Sequence, residues 1–123
     1  MKISILLPYK ENYSPTYPGA VSLFVHSTNK ISKFKNDITV FGFTDLKEKF
    51  TEKYINIPLK KSELFKSQSK EYVNKFIQLH KDSEADIIEI HNRPNYVSLI
   101  SKLQSKIIWS IVYFNNIGII IFM

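Results

Sequence analysis

Short apolar runs alternate along the chain with longer stretches in which apolar residues recur every three or four positions, a rhythm that predicts an α/β domain. Residues 3–7 are apolar except for Ser4, as in a parallel strand covered on both faces. A loop over residues 8–18, with three prolines and three tyrosines, ends at Gly19-Ala20. From there Ala20, Phe24, Ile31 and Phe34 repeat at helical spacing, predicting a helix over 19–34. Ile38, Val40, Phe41 and Phe43 predict a second strand over 37–43, and Thr44-Asp45-Leu46-Lys47-Glu48 reads as a capping box opening a short helix over 45–50. A third strand over 54–58 stops at Pro58. Val73, Phe76, Ile77 and His80 share one face of a helix that starts at 63 or 69 and runs to 82. A fourth strand over 86–91 leads into a helix through Tyr96, Leu99, Ile100 and Leu103, and residues 107–114 supply a fifth strand.

Five strands separated by helices form a Rossmann-like, three-layer open parallel sheet of order 3-2-1-4-5. Such sheets bind ligands outside the carboxyl ends of their strands, here the loops at 8–19, 44–48 and 92–95. At 123 residues there is room for one domain. With 44% hydrophobic and 23% charged residues the chain is expected to fold rather than stay disordered, and the absence of cysteine excludes thiol catalysis, thiolate metal sites and disulfides.

The net charge of +6 invites a nucleic-acid reading, but all 17 basic residues except Arg93 are lysines, and no lysine block is interleaved with aromatics as a stacking platform requires. No nucleic-acid partner is expected. The N-terminal apolar run is too short for a signal peptide and reads as the first strand. Residues 107–123 are almost wholly apolar. As a bilayer span or anchor the stretch is marginal in length and has Asn115-Asn116 near its middle; the better-supported reading is a strand to 114, a turn at 115–118 and an exposed apolar end.

Two places carry candidate chemistry. Gly19, between loop and helix, lets a phosphate approach free backbone N–H groups at a helix N-terminus, although neither G-x-G-x-x-G nor a P-loop is present, and a turn glycine explains it equally well. Glu89-Ile90-His91-Asn92-Arg93-Pro94 is the densest functional segment. Strand alternation puts Glu89 and His91 on one face near its carboxyl end, with the only arginine just beyond. His91 suits acid–base work or hydrogen bonding and Arg93 suits phosphate or carboxylate, while a buried ion pair with a proline-led turn is the structural alternative. His80 reads as core, His26 as ambiguous, and three dispersed histidines predict no metal site.

The chain resembles the N-terminal domain of glycosyltransferase family 4, retaining enzymes of two facing Rossmann-like domains (the B-type arrangement). The resemblance rests on Ile3-Ser4-Ile5-Leu6-Leu7-Pro8-Tyr9-Lys10-Glu11-Asn12 with Gly19-Ala20-Val21-Ser22, on Ala85-Asp86-Ile87-Ile88-Glu89-Ile90-His91-Asn92-Arg93-Pro94, and less closely on Val112-Tyr113-Phe114-Asn115-Asn116. It spans residues 1–116 and leaves 117–123 as an apolar tail outside the domain. It implies a hexosyltransferase half, of the kind used in polysaccharide biosynthesis, moving a sugar from a nucleotide-sugar donor to a glycan or lipid-linked acceptor. Gly19 and Ala20 would face the donor diphosphate. Tyr9, Lys10, Glu11, Asn12, Glu89, Asn92 and Arg93 would line the acceptor side, with His91 as the candidate catalytic residue. No metal and no cofactor beyond the donor are implied. The donor-gripping C-terminal domain has no counterpart in these residues, so the chain is expected to be inactive alone, as a truncated fragment or with a separate C-terminal half. The family's usual histidine after the fifth strand is replaced by Asn115-Asn116. The expected location is cytoplasmic, with peripheral association at the inner face of the membrane left open. The alternative function is a stand-alone, flavodoxin-like nucleotide- or phosphate-binding module without catalysis.

Overall fold

The computed structural model describes residues 1–51, 53–59, 68–81 and 85–101, and the backbone of 106–112 and 118–122. In chain order the elements are β1 (Ile3–Leu6), α1 (Ala20–Ile31), a 3₁₀ turn (Lys35–Asp37), β2 (Ile38–Gly42), β3 (Tyr54–Asn56), α2 (Gln68–His80), β4 (Ile87–His91), α3 (Pro94–Ile100), β5 (Lys106–Val112) and β6 (Gly118–Phe122). The sheet order is β3-β2-β1-β4-β5-β6. Pairing is parallel from β3 through β5, with Ile5 beside Val40 on one side and Glu89 on the other, and β6 adds antiparallel to β5. The chain is thus an α/β protein with a mainly parallel sheet.

Alternation along β1 sorts the core into two layers. Ile5 and Leu7 point toward α1 and pack with Val21, Val25, Ile38, Val40 and Tyr13. Leu6 points the other way, into a larger cluster where Phe41, Ile88 and Ile90 meet Tyr72, Val73 and Phe76 of α2 and Tyr96, Val97 and Ile100 of α3. The second layer holds three fully buried aromatic rings. At ~2 kcal/mol or more for each large side chain removed from water, it is the heavier contributor to stability.

Several boundaries differ from those expected. The first helix stops at Ile31 instead of 34, because Ser32 turns extended and its hydroxyl accepts from the Phe34 N–H, beginning the 3₁₀ turn. No helix forms over 45–50. The Thr44 hydroxyl accepts from the Leu46 N–H (3.1 Å), as a helix cap does, and donates to Asn12 Oδ1 (2.7 Å), but no helical turn follows it. The third strand is shorter than expected, ending at Asn56. The proposed helix start at 63 and the ends at 82 and Leu103 lie outside the described residues, as do Tyr113, Phe114, Asn115 and Asn116.

The sheet is also not an open five-stranded parallel one, and residues 118–122 are not a tail outside the domain. They pair from Gly118 opposite Val112 to Phe122 opposite Ile108. The outer edge of β5 presents a row of backbone N–H and C=O groups that demand partners, and a β-branched apolar run directly after it satisfies them. Among the described residues no helix is long and apolar enough to cross a membrane.

Candidate functional site

The switch point of the sheet lies between β1 and β4, and the candidates gather at the carboxyl ends of these two strands. The structure divides them into three groups.

The first group is at the start of α1. Gly19 is the N-cap, in extended backbone and with no side chain to cap the helix, and the first turn contains no acidic residue. Glu11 supplies both from the preceding loop: its Oε1 accepts from the Ser22 N–H at 3.0 Å. Ser22 is the third helical residue, so this bond satisfies one of the orphan donors and sets a negative charge at the positive end of the helix dipole. A Cβ on Gly19 would displace that carboxylate, so glycine here leaves room for Glu11 against the helix start. The position assigned to the donor phosphate holds a carboxylate of this chain, and Ala20 beside it is exposed.

The second group is the rest of the loop over 8–18, which two left-handed residues, Lys10 (φ 65°) and Tyr17 (φ 52°), bend back on itself. Asn12 ties it to the loop after β2 by accepting from Thr44, and its Nδ2 donates to the Tyr17 carbonyl at 3.3 Å. Tyr9 turns to the opposite face of the sheet from Glu11 and packs against the α2–α3 core. Its hydroxyl donates to Gln68 Oε1 (2.7 Å), its N–H donates to the Tyr96 hydroxyl (3.2 Å), and the Lys10 ammonium lies 5.5 Å from its ring centre. Beneath it the Tyr72 hydroxyl donates to the Leu7 carbonyl at 2.6 Å. Burial pushes the ionisation of Tyr72 far up, so it remains a neutral donor. Sequence reasoning missed Tyr72, Tyr96 and Gln68, whose only signal is a polar tip on helix positions facing the core.

The third group ends β4. Ile88 and Ile90 are buried under α2 and α3, while Glu89 and His91 face the side of α1. His91 Nε2 and Glu89 Oε1 are 2.5 Å apart, and the imidazole stands edge-on to Phe24 of α1 at 5.8 Å between ring centres. The His91 side chain is fully buried, whereas that of Glu89 is 28% exposed. The pair is as alternation predicts, but its solvent-facing member is the carboxylate. Asn92 follows in the left-handed region (φ 54°), which asparagine tolerates, and turns the chain into α3. Arg93 is exposed, with Nη1 donating to the Asn92 carbonyl at 2.8 Å.

His80 is buried beside Phe76, and desolvation lowers its pKa. Among the described residues no group of three or more His, Asp or Glu side chains is arranged to hold a metal ion. Comparison of the chain with models of protein families and with curated proteins found no match to either.

Proposed function

We propose that this chain is the acceptor-side, Rossmann-like half of a two-domain, sugar-nucleotide-dependent glycosyltransferase, and that the Glu89–His91 pair lines the acceptor cleft. The observation that supports this reading is a partly exposed carboxylate braced by a buried imidazole on β4, the strand that borders the sheet's switch point. Glu89 accepts a hydrogen bond from an acceptor hydroxyl, and His91 is a positioning residue that holds the carboxylate through Nε2. This reverses the roles suggested by residue type alone. Arg93, exposed at the mouth, supplies a cation for an acidic or phosphate-bearing acceptor. Gly19 and Ala20 reach a donor phosphate only after Glu11 turns away from Ser22. In the flavodoxin-like alternative, too, Glu11 counts against a phosphate at that helix N-terminus.

The test is direct binding. A panel of neutral and anionic oligosaccharides is titrated into the isotope-labelled chain while backbone amide shifts are followed. The reading expects saturable shifts centred on Glu89, Asn92 and Arg93 for at least one member, weakened about tenfold in Glu89→Gln by loss of a charged hydrogen bond. A panel that leaves those amides unmoved, or that binds Glu89→Gln as well as the native chain, refutes it.

A further inference from the structure

A separate pocket of about 480 Å³ opens on the other flank of α1, toward the amino-terminal ends of β2 and β3. Phe24 and His26 are two positions apart on the helix and so point to opposite flanks, the first to His91 and the second into this pocket. Its aromatic wall is His26 stacked on Phe50, with ring centres 4.0 Å apart and planes 14° from parallel. Tyr13 forms the floor, edge-on to Phe50. The Tyr13 side chain is fully buried, yet its hydroxyl makes no hydrogen bond of ordinary geometry, although the Asn29 amide lies near enough to influence it. Among the described residues, the charged ones lining the pocket are cations: Lys30, Lys35 and Lys53. Lys30 also sits in the last turn of α1, where it screens the carbonyl end of the helix from an incoming anion.

We propose that this pocket is a second binding site, for a phosphate monoester carrying a flat ring. The ring packs against His26 and Phe50, and the three lysines hold the phosphate. Size agrees, since the volume lies in the lower part of the range for small-molecule sites. Three cations suit a phosphate dianion better than a monoanion. Burial and Lys30 both lower the pKa of His26, keeping it a neutral ring suited to stacking at neutral pH. This inference goes beyond the acceptor-side reading and does not depend on it, because it uses neither the carboxyl-edge loops nor the start of α1.

The experiment titrates phenyl phosphate into the full chain and follows backbone amide shifts, with inorganic phosphate and benzyl alcohol as probes that each lack one half of the ligand. Phenyl phosphate is expected to give saturable shifts at Asn29, Lys30, Asn36, Thr51 and Lys53, and to bind at least about tenfold more tightly than either partial probe. Lys30→Gln combined with Lys53→Gln lowers that affinity by about tenfold or more, and the exposure of both side chains preserves the fold. Equal binding of all three probes overturns the proposal. So do shifts that never saturate, saturable shifts confined to Gly19–Ser22 or Asn92–Arg93, and unchanged affinity in the folded lysine variant.

Discussion

Replacing Glu11 by alanine tests the assignment of the helix N-terminus. The substitution removes the acceptor 3.0 Å from the Ser22 N–H, a carboxylate at the start of a helix whose N-cap is glycine and whose first turn has no acidic residue. Loss of a capping side chain typically costs ~1 kcal/mol. Because the lost acceptor is charged and half-buried, hydrogen bond and dipole together bring this to about 2 kcal/mol. For a domain of this size that corresponds to a fall of roughly 8 °C in melting temperature, read by far-ultraviolet circular dichroism. Glu11→Gln keeps an acceptor and loses the charge, so about half the drop is expected. Gly19→Ala reaches the same state by another route, since its Cβ would displace the carboxylate. In the Glu11→Ala background it should therefore cost almost nothing, and the two substitutions are strongly non-additive. Inorganic phosphate should raise the melting temperature of Glu11→Ala and leave the native protein unchanged, because only the variant has an open helix N-terminus. A Glu11→Ala protein that melts like the native one, or fully additive effects of Gly19→Ala and Glu11→Ala, would refute the capping argument.

Three further outcomes are expected. Tyr72→Phe removes the donor to the Leu7 carbonyl in the core and should cost about 1–2 kcal/mol in urea denaturation; an unchanged midpoint means that the bond contributes nothing net. Desolvation lowers the folded-state pKa of His80 below 6.5, and that of His26 is lowered too, so below about neutral pH the unfolded chain binds more protons than the folded one. Stability should fall as pH drops from about 7 toward 5, and His80→Leu should flatten the slope; stability that rises over this interval contradicts the sign. His91→Ala empties a fully buried position and strips Glu89 of its partner, for a loss of ~2–3 kcal/mol, whereas exposed Arg93→Ala should cost less than ~0.5 kcal/mol; equal losses by calorimetry would contradict the burial argument.

What was legible in the sequence was whatever local periodicity controls. The continuous apolar run of β1, the helical spacing from Ala20 and the alternation through β4 each have one reading, and those elements stand within a few residues of where pattern placed them. Expectation failed where a side chain spends its hydrogen bond far away in sequence. Thr44 accepts from the Leu46 N–H as a helix cap does, yet no helix follows, and its hydroxyl donates to Asn12 in the loop after β1, a contact no local pattern announces. Glu11 reads as one polar loop residue among several, and its role appears only when the loop folds back to bring it over Gly19. The end of the chain failed for a different reason. Hydropathy shows that residues 118–122 avoid water, but whether they lie outside the domain or pair with β5 is a question of sheet edges, and pairing is not written in hydropathy. At the site, strand alternation correctly joins Glu89 and His91. It does not say which member reaches solvent, because that depends on Phe24 coming from α1.

The pairing at β4 also carries a cost that bears on why it is there. In the parallel register Glu89 lies beside Ile5, which is almost fully buried, and its chain neighbours Ile88 and Ile90 are fully buried. A sheet selected for stability alone would place β-branched apolar residues at 89 and 91, as it does at 88 and 90. A carboxylate braced by a buried imidazole gives up solvation that its own attraction only partly restores, and exchanging such pairs for well-packed apolar residues is commonly neutral or stabilising by about 1–4 kcal/mol. The double variant Glu89→Val with His91→Ile should therefore fold as the same sheet and melt no lower than the native chain, while losing the oligosaccharide response at Asn92 and Arg93. Calorimetry and the amide titration read the two consequences separately. A double variant markedly less stable than the native chain would show that the pair is held for the fold. One that is stable and still binds would remove Glu89 and His91 from the acceptor cleft.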